Sequence, residues 1–118
     1  MKVEAIRDLL DAKVMCCADM LSTEVYSACG SDMMSDVLAF VKDQGILLTG
    51  LVNAQTVRTA MMMDMKCIVF VRGKKPDDVV VSLAEENGII MMCTDYRMYT
   101  ACGLLYNAGL YSEGVDKV

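Results

Sequence analysis

Residues 66–109 read KCIVFVRGKKPDDVVVSLAEENGIIMMCTDYRMYTACGLLYNAG, and the order of patterns within them decides the fold. KCIVFVRG is an almost unbroken apolar run, which marks a strand covered on both faces. KPDDVVVSLAEENG carries the signals of a helix. Pro76 stands where a first turn tolerates it, Asp77 and Asp78 lie at the positive end of the helix dipole, and Gly88 falls where a helix stops. IIMMCT is a further strand, and Thr94 is placed to cap a helix over DYRMYTACGLLYNAG that ends at Gly109. Strand, helix, strand and helix joined by short connections predict parallel strands with covering helices.

The same grammar extends toward the N-terminus. GILLTG (45–50) reads as a short strand between glycines, and NAQTVRTAMMMDM (53–65) as a helix that Asn53 can cap. In GSDMMSDVLAF (30–40) and the residue after it, Met33, Met34, Val37, Leu38 and Val41 fall on one helical stripe, with Asp32, Ser35, Asp36 and Ala39 turned away. EVYSA (24–28) leans toward strand, as does AKVMCC (12–17), while VEAIRDLL places Val3, Ile6, Leu9 and Leu10 at helical spacing. The expectation is an α/β fold with a mostly parallel four- to five-stranded sheet flanked by helices. Residues 1–111 are read as one domain and 112–118 as a frayed tail.

Composition narrows the function classes. The chain has 118 residues, 55% hydrophobic and 23% charged, the profile of a globular protein rather than a disordered one. A formal charge of −5, with scattered basic residues apart from RGKK at 72–75, disfavours nucleic acid and anionic membrane as partners. MKVEAIRDLLDAKV interrupts its apolar pattern with acids, so it reads neither as a signal peptide nor as a spanning helix, and a cytoplasmic location is expected. The six cysteines are then expected as reduced thiols. None of them forms a C-x-x-C pair, and Cys16 and Cys17, as neighbours on a strand, should point to opposite faces. Met61 and Met65 would share a helix face, and at least one of Met61, Met62 and Met63 must reach the surface, because successive residues span most of a turn.

Three strand-to-helix junctions hold the candidate binding residues. Ser31 reads as an N-cap and Asp32 and Asp36 as carboxylates one turn apart, which suit a cation, an amine or a ribose hydroxyl, or serve only as helix cap and wet face. Thr49 and Asn53 flank a junction with no acid in the first helical turn, which is open to an anion or is simply a tight turn with an Asn cap. Thr94 and Asp95 lie beside Tyr96, Arg97 and Tyr99, residues able to flank a base or a partner's carboxylate. The sequence has no histidine, nucleophile elbow or Walker pattern, so a non-catalytic protein without a cofactor is expected.

Three segments, GSDMMSDVLAFV, GILLTG and the run from Val71 to Gly109, resemble in order the DRTGG domain family, whose fold is similar to the N-terminal domain of HPr kinase/phosphorylase. The family's Gly-Gly should fall within TEVYSACGSD, where this chain has Ser27 and Ala28. The resemblance implies a regulatory or dimerising module, found alone or beside CBS pairs, phosphotransacetylases and pyrophosphatases, and in some anaerobes near hydrogenase genes. With surface Met and Tyr, it leads us to expect a homodimer that binds a partner enzyme, a small metabolite or a nucleotide. A Cys/Met redox or soft-metal protein is the alternative, and a small phosphoryl-transfer enzyme comes third.

Overall fold

A computed structural model describes residues 1–40 and 45–112. Val41, expected on the apolar stripe, and residues 113–118 of the expected tail lie outside them. The elements run α1 (Val3–Leu9), β1 (Lys13–Cys16), a 3-10 turn (Ala18–Met20), β2 (Ala28–Gly30), α2 (Met34–Phe40), β3 (Ile46–Thr49), α3 (Ala54–Met62), β4 (Cys67–Phe70), α4 (Asp78–Glu86), β5 (Ile90–Cys93) and α5 (Met98–Asn107). The strands form one five-stranded sheet in the order β1-β5-β4-β3-β2. β2 to β5 pair in parallel, and β1 joins β5 antiparallel with an irregularity between Val14 and Cys16.

Every residue of β3, β4 and β5 is buried, which is why these strands read as unbroken apolar runs. Phe70, Ile68, Ile46, Leu47, Ile90, Met91 and Met92 form the centre of the core. Because β2, β3, β4 and β5 step across the sheet in one direction, right-handed crossovers carry α2, α3 and α4 over one face. These helices accordingly pack in series, α2 on α3 and α3 on α4. The chain then turns back: α5 packs against α1 and β3, and a small cleft separates Ala28, Gly30 and Leu48 from Cys102, Leu105 and Tyr106 of α5. The helix after β5 therefore lies on the face opposite α2, α3 and α4.

Several local expectations shift. The second strand begins at Ala28, not Glu24, because residues 23–25 are claimed by the N-terminal segment: Thr23 O accepts from Val3 N–H and Val25 N–H donates to Met1 O. Helix α2 starts correspondingly later, at Met34, and of its expected apolar stripe Met34 and Val37 are buried while Met33 and Leu38 are exposed. Leu9 likewise faces out while Leu10 is buried. Pro76 precedes the α4 cap instead of lying in the first turn, and Asp77 is the cap, its side chain accepting from Val80 N–H. Neither Ser27 nor Ala28, the residues read at the family's Gly-Gly, has a positive φ, so neither stands in a backbone conformation that favours glycine.

Candidate functional site

The C-terminal ends of the parallel strands form a rim on which most of the candidate residues lie, and its β2–β3 end is a closed clasp. Asp32, in the loop after β2, accepts from Thr49 Oγ1 at 3.1 Å and from Gly50 N–H at 2.6 Å through the same oxygen. Thr49, fully buried, accepts in turn from Leu51 N–H at 3.1 Å. Asn53 caps α3 through Thr56 N–H at 3.1 Å, as expected. Ser31 is not the cap of α2: its hydroxyl accepts from Met33 N–H two residues on, in the turn before the helix. Asp32 is drawn away from the helix toward Thr49, so it does not stack on Asp36, which faces solvent in the first turn of α2.

Arg72, just past β4, separates this clasp from the other end of the rim. It takes a left-handed backbone (φ 63) and donates its N–H to Tyr96 O at 2.8 Å. Its guanidinium lies over Gly50, where a methyl group would come within 2.6 Å of Nη2.

The β4–β5 end is open. Thr94 does not cap α5. Its hydroxyl donates to Leu10 O at 2.7 Å and accepts from Tyr96 N–H at 3.3 Å, while the α5 cap position is Arg97, without a side-chain cap bond. The physical reason is that residues 94–96 serve as the wall of a loop, with Thr94 O accepting from Gly73 N–H at 3.0 Å. Between the loops after β4 and β5 and the start of β1 lies a cavity of about 170 Å³, lined by Asp11, Lys13, Met15, Gly73, Lys75, Cys93 and Asp95. Asp95 is the one candidate named from sequence that lines it. Burial pushes the Cys93 thiol up, and Lys75 and Lys13 pull it back down, so both ammonium groups act on the cavity floor.

Sequence reasoning missed Asp11, Lys13, Gly73 and Lys75. Lys13 and Lys75 stand 62 positions apart in the sequence numbering and meet only because β1 adds antiparallel to β5. The RGKK cluster at 72–75 was the one available signal.

The cysteines correct another expectation. Cys17 lies just past β1 in a left-handed conformation (φ 60), so the strand alternation that would send its side chain to the face opposite Cys16 does not apply. Burial pushes Cys16 up to about 12, and Cys67 is raised still further for the same reason, which suppresses the thiolate that metal binding and redox chemistry need. Among the described residues no group of three Cys, Asp or Glu is placed to hold a metal ion. Met65 is buried and lies beyond the end of α3, so it shares no helix face with the exposed Met61.

A model of the DRTGG domain matches residues 5–108. The chain belongs to the DRTGG domain family. Its fold is similar to the crystal structure of the CBS and DRTGG domains of the regulatory region of Clostridium perfringens pyrophosphatase, complexed with the activator diadenosine tetraphosphate. That likeness has a TM-score of 0.74 at 19% identity, over 88% of this chain and 45% of the other, so this DRTGG chain spans under half the length of that structure. No curated protein matches it. Among the described residues no helix is long and apolar enough to cross a membrane.

Proposed function

We propose that this DRTGG domain is a non-catalytic regulatory module that receives a small metabolite or nucleotide in the crevice between the C-terminal ends of β4 and β5 and relays occupancy to a partner enzyme in the cytoplasm. The supporting observation is topological. α4 leaves β4 toward one face and α5 leaves β5 toward the other, and in open parallel sheets ligands collect where successive connections part in this way. The cavity lies at that parting, with Gly73 and Lys75 on one side and Cys93 and Asp95 on the other. The regulatory reading draws on the family and on the activator-bound pyrophosphatase region of the same fold.

The test is a thermal-shift screen of nucleotides, sugar phosphates and acyl phosphates followed by amide exchange. A ligand at 100 times its Kd stabilises the native state by about 2.7 kcal/mol. Protection of the amides of residues 72–75 and 93–96 is the expected footprint. Protection confined to α3 and α4 would overturn the assignment.

A second reading, a protein contact that makes a homodimer, is favoured by the outer face of α5. Tyr99 is 91% exposed and Tyr106 50%, and with Cys102, Gly103 and Asn107 they line a shallow depression. Exposed tyrosines of this kind are enriched at interfaces. Light scattering at high micromolar concentration should give twice the monomer mass, and Tyr99→Glu should return it to one.

A further inference from the structure

The crevice can be assigned a ligand class. Resting on the reading that it is the binding site, we propose that it takes the phosphate monoester of a small polyol, with the phosphate against Lys13 and Lys75 and the hydroxyl groups toward Asp11 and Asp95.

Size is the first constraint. At about 170 Å³ the cavity is roughly half the ~300 Å³ at which pockets enclosing drug-sized ligands begin. A phosphate with a short carbon chain fits inside, whereas a nucleotide would leave its base in solvent. Charge is the second. Lys13, Lys75, Asp11 and Asp95 are all exposed side chains on one cavity, and among the described residues none of them is in an ion pair. Four charges of both signs that converge without neutralising one another suit a ligand with an anionic group and hydrogen-bond donors. Two ammonium groups match a phosphate as point charges, and a monoester with its second pKa near 6 is mainly a dianion at neutral pH.

The interior favours the anion end first. Lys13 is paired directly across from the buried Cys93 in the β1–β5 ladder, so their side chains share a face, whereas Asp11 and Asp95 lie beyond the strand ends. An anion therefore goes inward and the hydroxyls stay at the mouth. The walls are also held in place before any ligand arrives. Gly73 N–H bonds to Thr94 O at 3.0 Å, and Thr94 Oγ1 bonds to Leu10 O at 2.7 Å, which ties the β4, β5 and α1 loops together. Gly73 has a φ of 69, and a methyl there would come 3.2 Å from Asp95 Oδ1, so the small residue keeps the opening clear.

The test is isothermal titration of the full chain with glycerol 3-phosphate, inorganic phosphate, AMP and glutamate at constant ionic strength, on the wild type, Lys13→Gln and Lys75→Gln. Both lysines are exposed, and circular dichroism checks that the variants fold. Glycerol 3-phosphate is expected to bind more tightly than phosphate, and glutamate weakest, with each substitution weakening the ester at least tenfold. Ligand should also slow alkylation of Cys93 in the wild type, read by peptide mass spectrometry. Equal affinity in wild type and both variants overturns the phosphate assignment, as does AMP binding more tightly than glycerol 3-phosphate. If amides 72–75 and 93–96 are still protected by a non-phosphate ligand that ignores both lysines, this assignment fails and the crevice reading stands. Protection absent from those amides for every ligand that binds removes both.

Discussion

At the β2–β3 end of the rim, Asp32, Thr49 and Gly50 bond to one another, while at the β4–β5 end Asp11, Lys13, Lys75 and Asp95 share a cavity without pairing. Both ends offer a carboxylate just beyond the C-terminal end of a strand, and from sequence they look equivalent. The difference lies in what the fold has already consumed. Asp32 serves as the acceptor that closes the turn after β3, so its charge is committed to stability. The lysines of the open end have no such partner among the described residues. An acid beside a strand end is therefore not in itself a site; what matters is whether its hydrogen-bonding capacity is left over after folding.

The thiols give the same contrast its largest measurable consequence. Cys16 is shut in beneath Ile89 O, and burial pushes it up to about 12 from 9.0, whereas Cys93 is partly relieved by the lysines. A thiol whose pKa is raised in the folded state contributes stability that is fully present below the unfolded value and is lost as pH climbs toward the folded one. Between pH 8 and pH 11 the wild type should lose about 2–3 kcal/mol more than Cys16→Ala, read from urea midpoints. A constant gap between the two proteins over that range would show that Cys16 is not closed off in this way.

Thr94 is where the open end is held up, and Thr94→Val is expected to cost about 2 kcal/mol, because the Leu10 carbonyl would lose its buried donor. Phosphate-ester affinity should fall with it, since the wall carrying Asp95 loosens. A variant that is destabilised yet binds as before would mean that the wall is not part of the crevice. At the closed end, Asp32→Ala should cost less, about 1–2 kcal/mol, because Asp32 itself is exposed and one partner is a backbone amide. Crevice affinity should not change. If it does, the two ends are one site and the comparison is wrong.

The centre of the fold was legible because burial leaves a direct trace in sequence. β3, β4 and β5 are buried at every position, and GILLTG, KCIVFV and IIMMC show it. The Asn53 cap was legible because its partner lies three residues away. Failures came where a non-local contact overrode local preference. EVYSA leans toward strand, yet the N-terminal segment takes Thr23 and Val25, and the ladder waits until Ala28. Ser31 and Thr94 have the right side chains for caps, but one closes a turn ahead of its helix and the other bonds across 84 positions to Leu10. The crevice was hidden for the same reason. Its lysines are 62 positions apart in the sequence, and only the antiparallel addition of β1 beside β5 brings them together.

Arg72 is the residue that could join the two ends, and Gly50→Ala is the smallest perturbation that asks whether it does. The added methyl meets the far end of a long, exposed side chain at 2.6 Å, so the guanidinium can swing aside at little cost. The Gly50 N–H that Asp32 holds is unaffected by the substitution, since the backbone φ at 50 is not in the left-handed region. Stability should change by less than about 0.5 kcal/mol. Arg72 N–H remains bonded to Tyr96 O, so the crevice wall should stay where it is and ester affinity should hold within about threefold, under 0.7 kcal/mol. A larger change in affinity with stability intact would place the guanidinium among the ligand's contacts, and the closed end would then reach the open one through the side chain that lies between them.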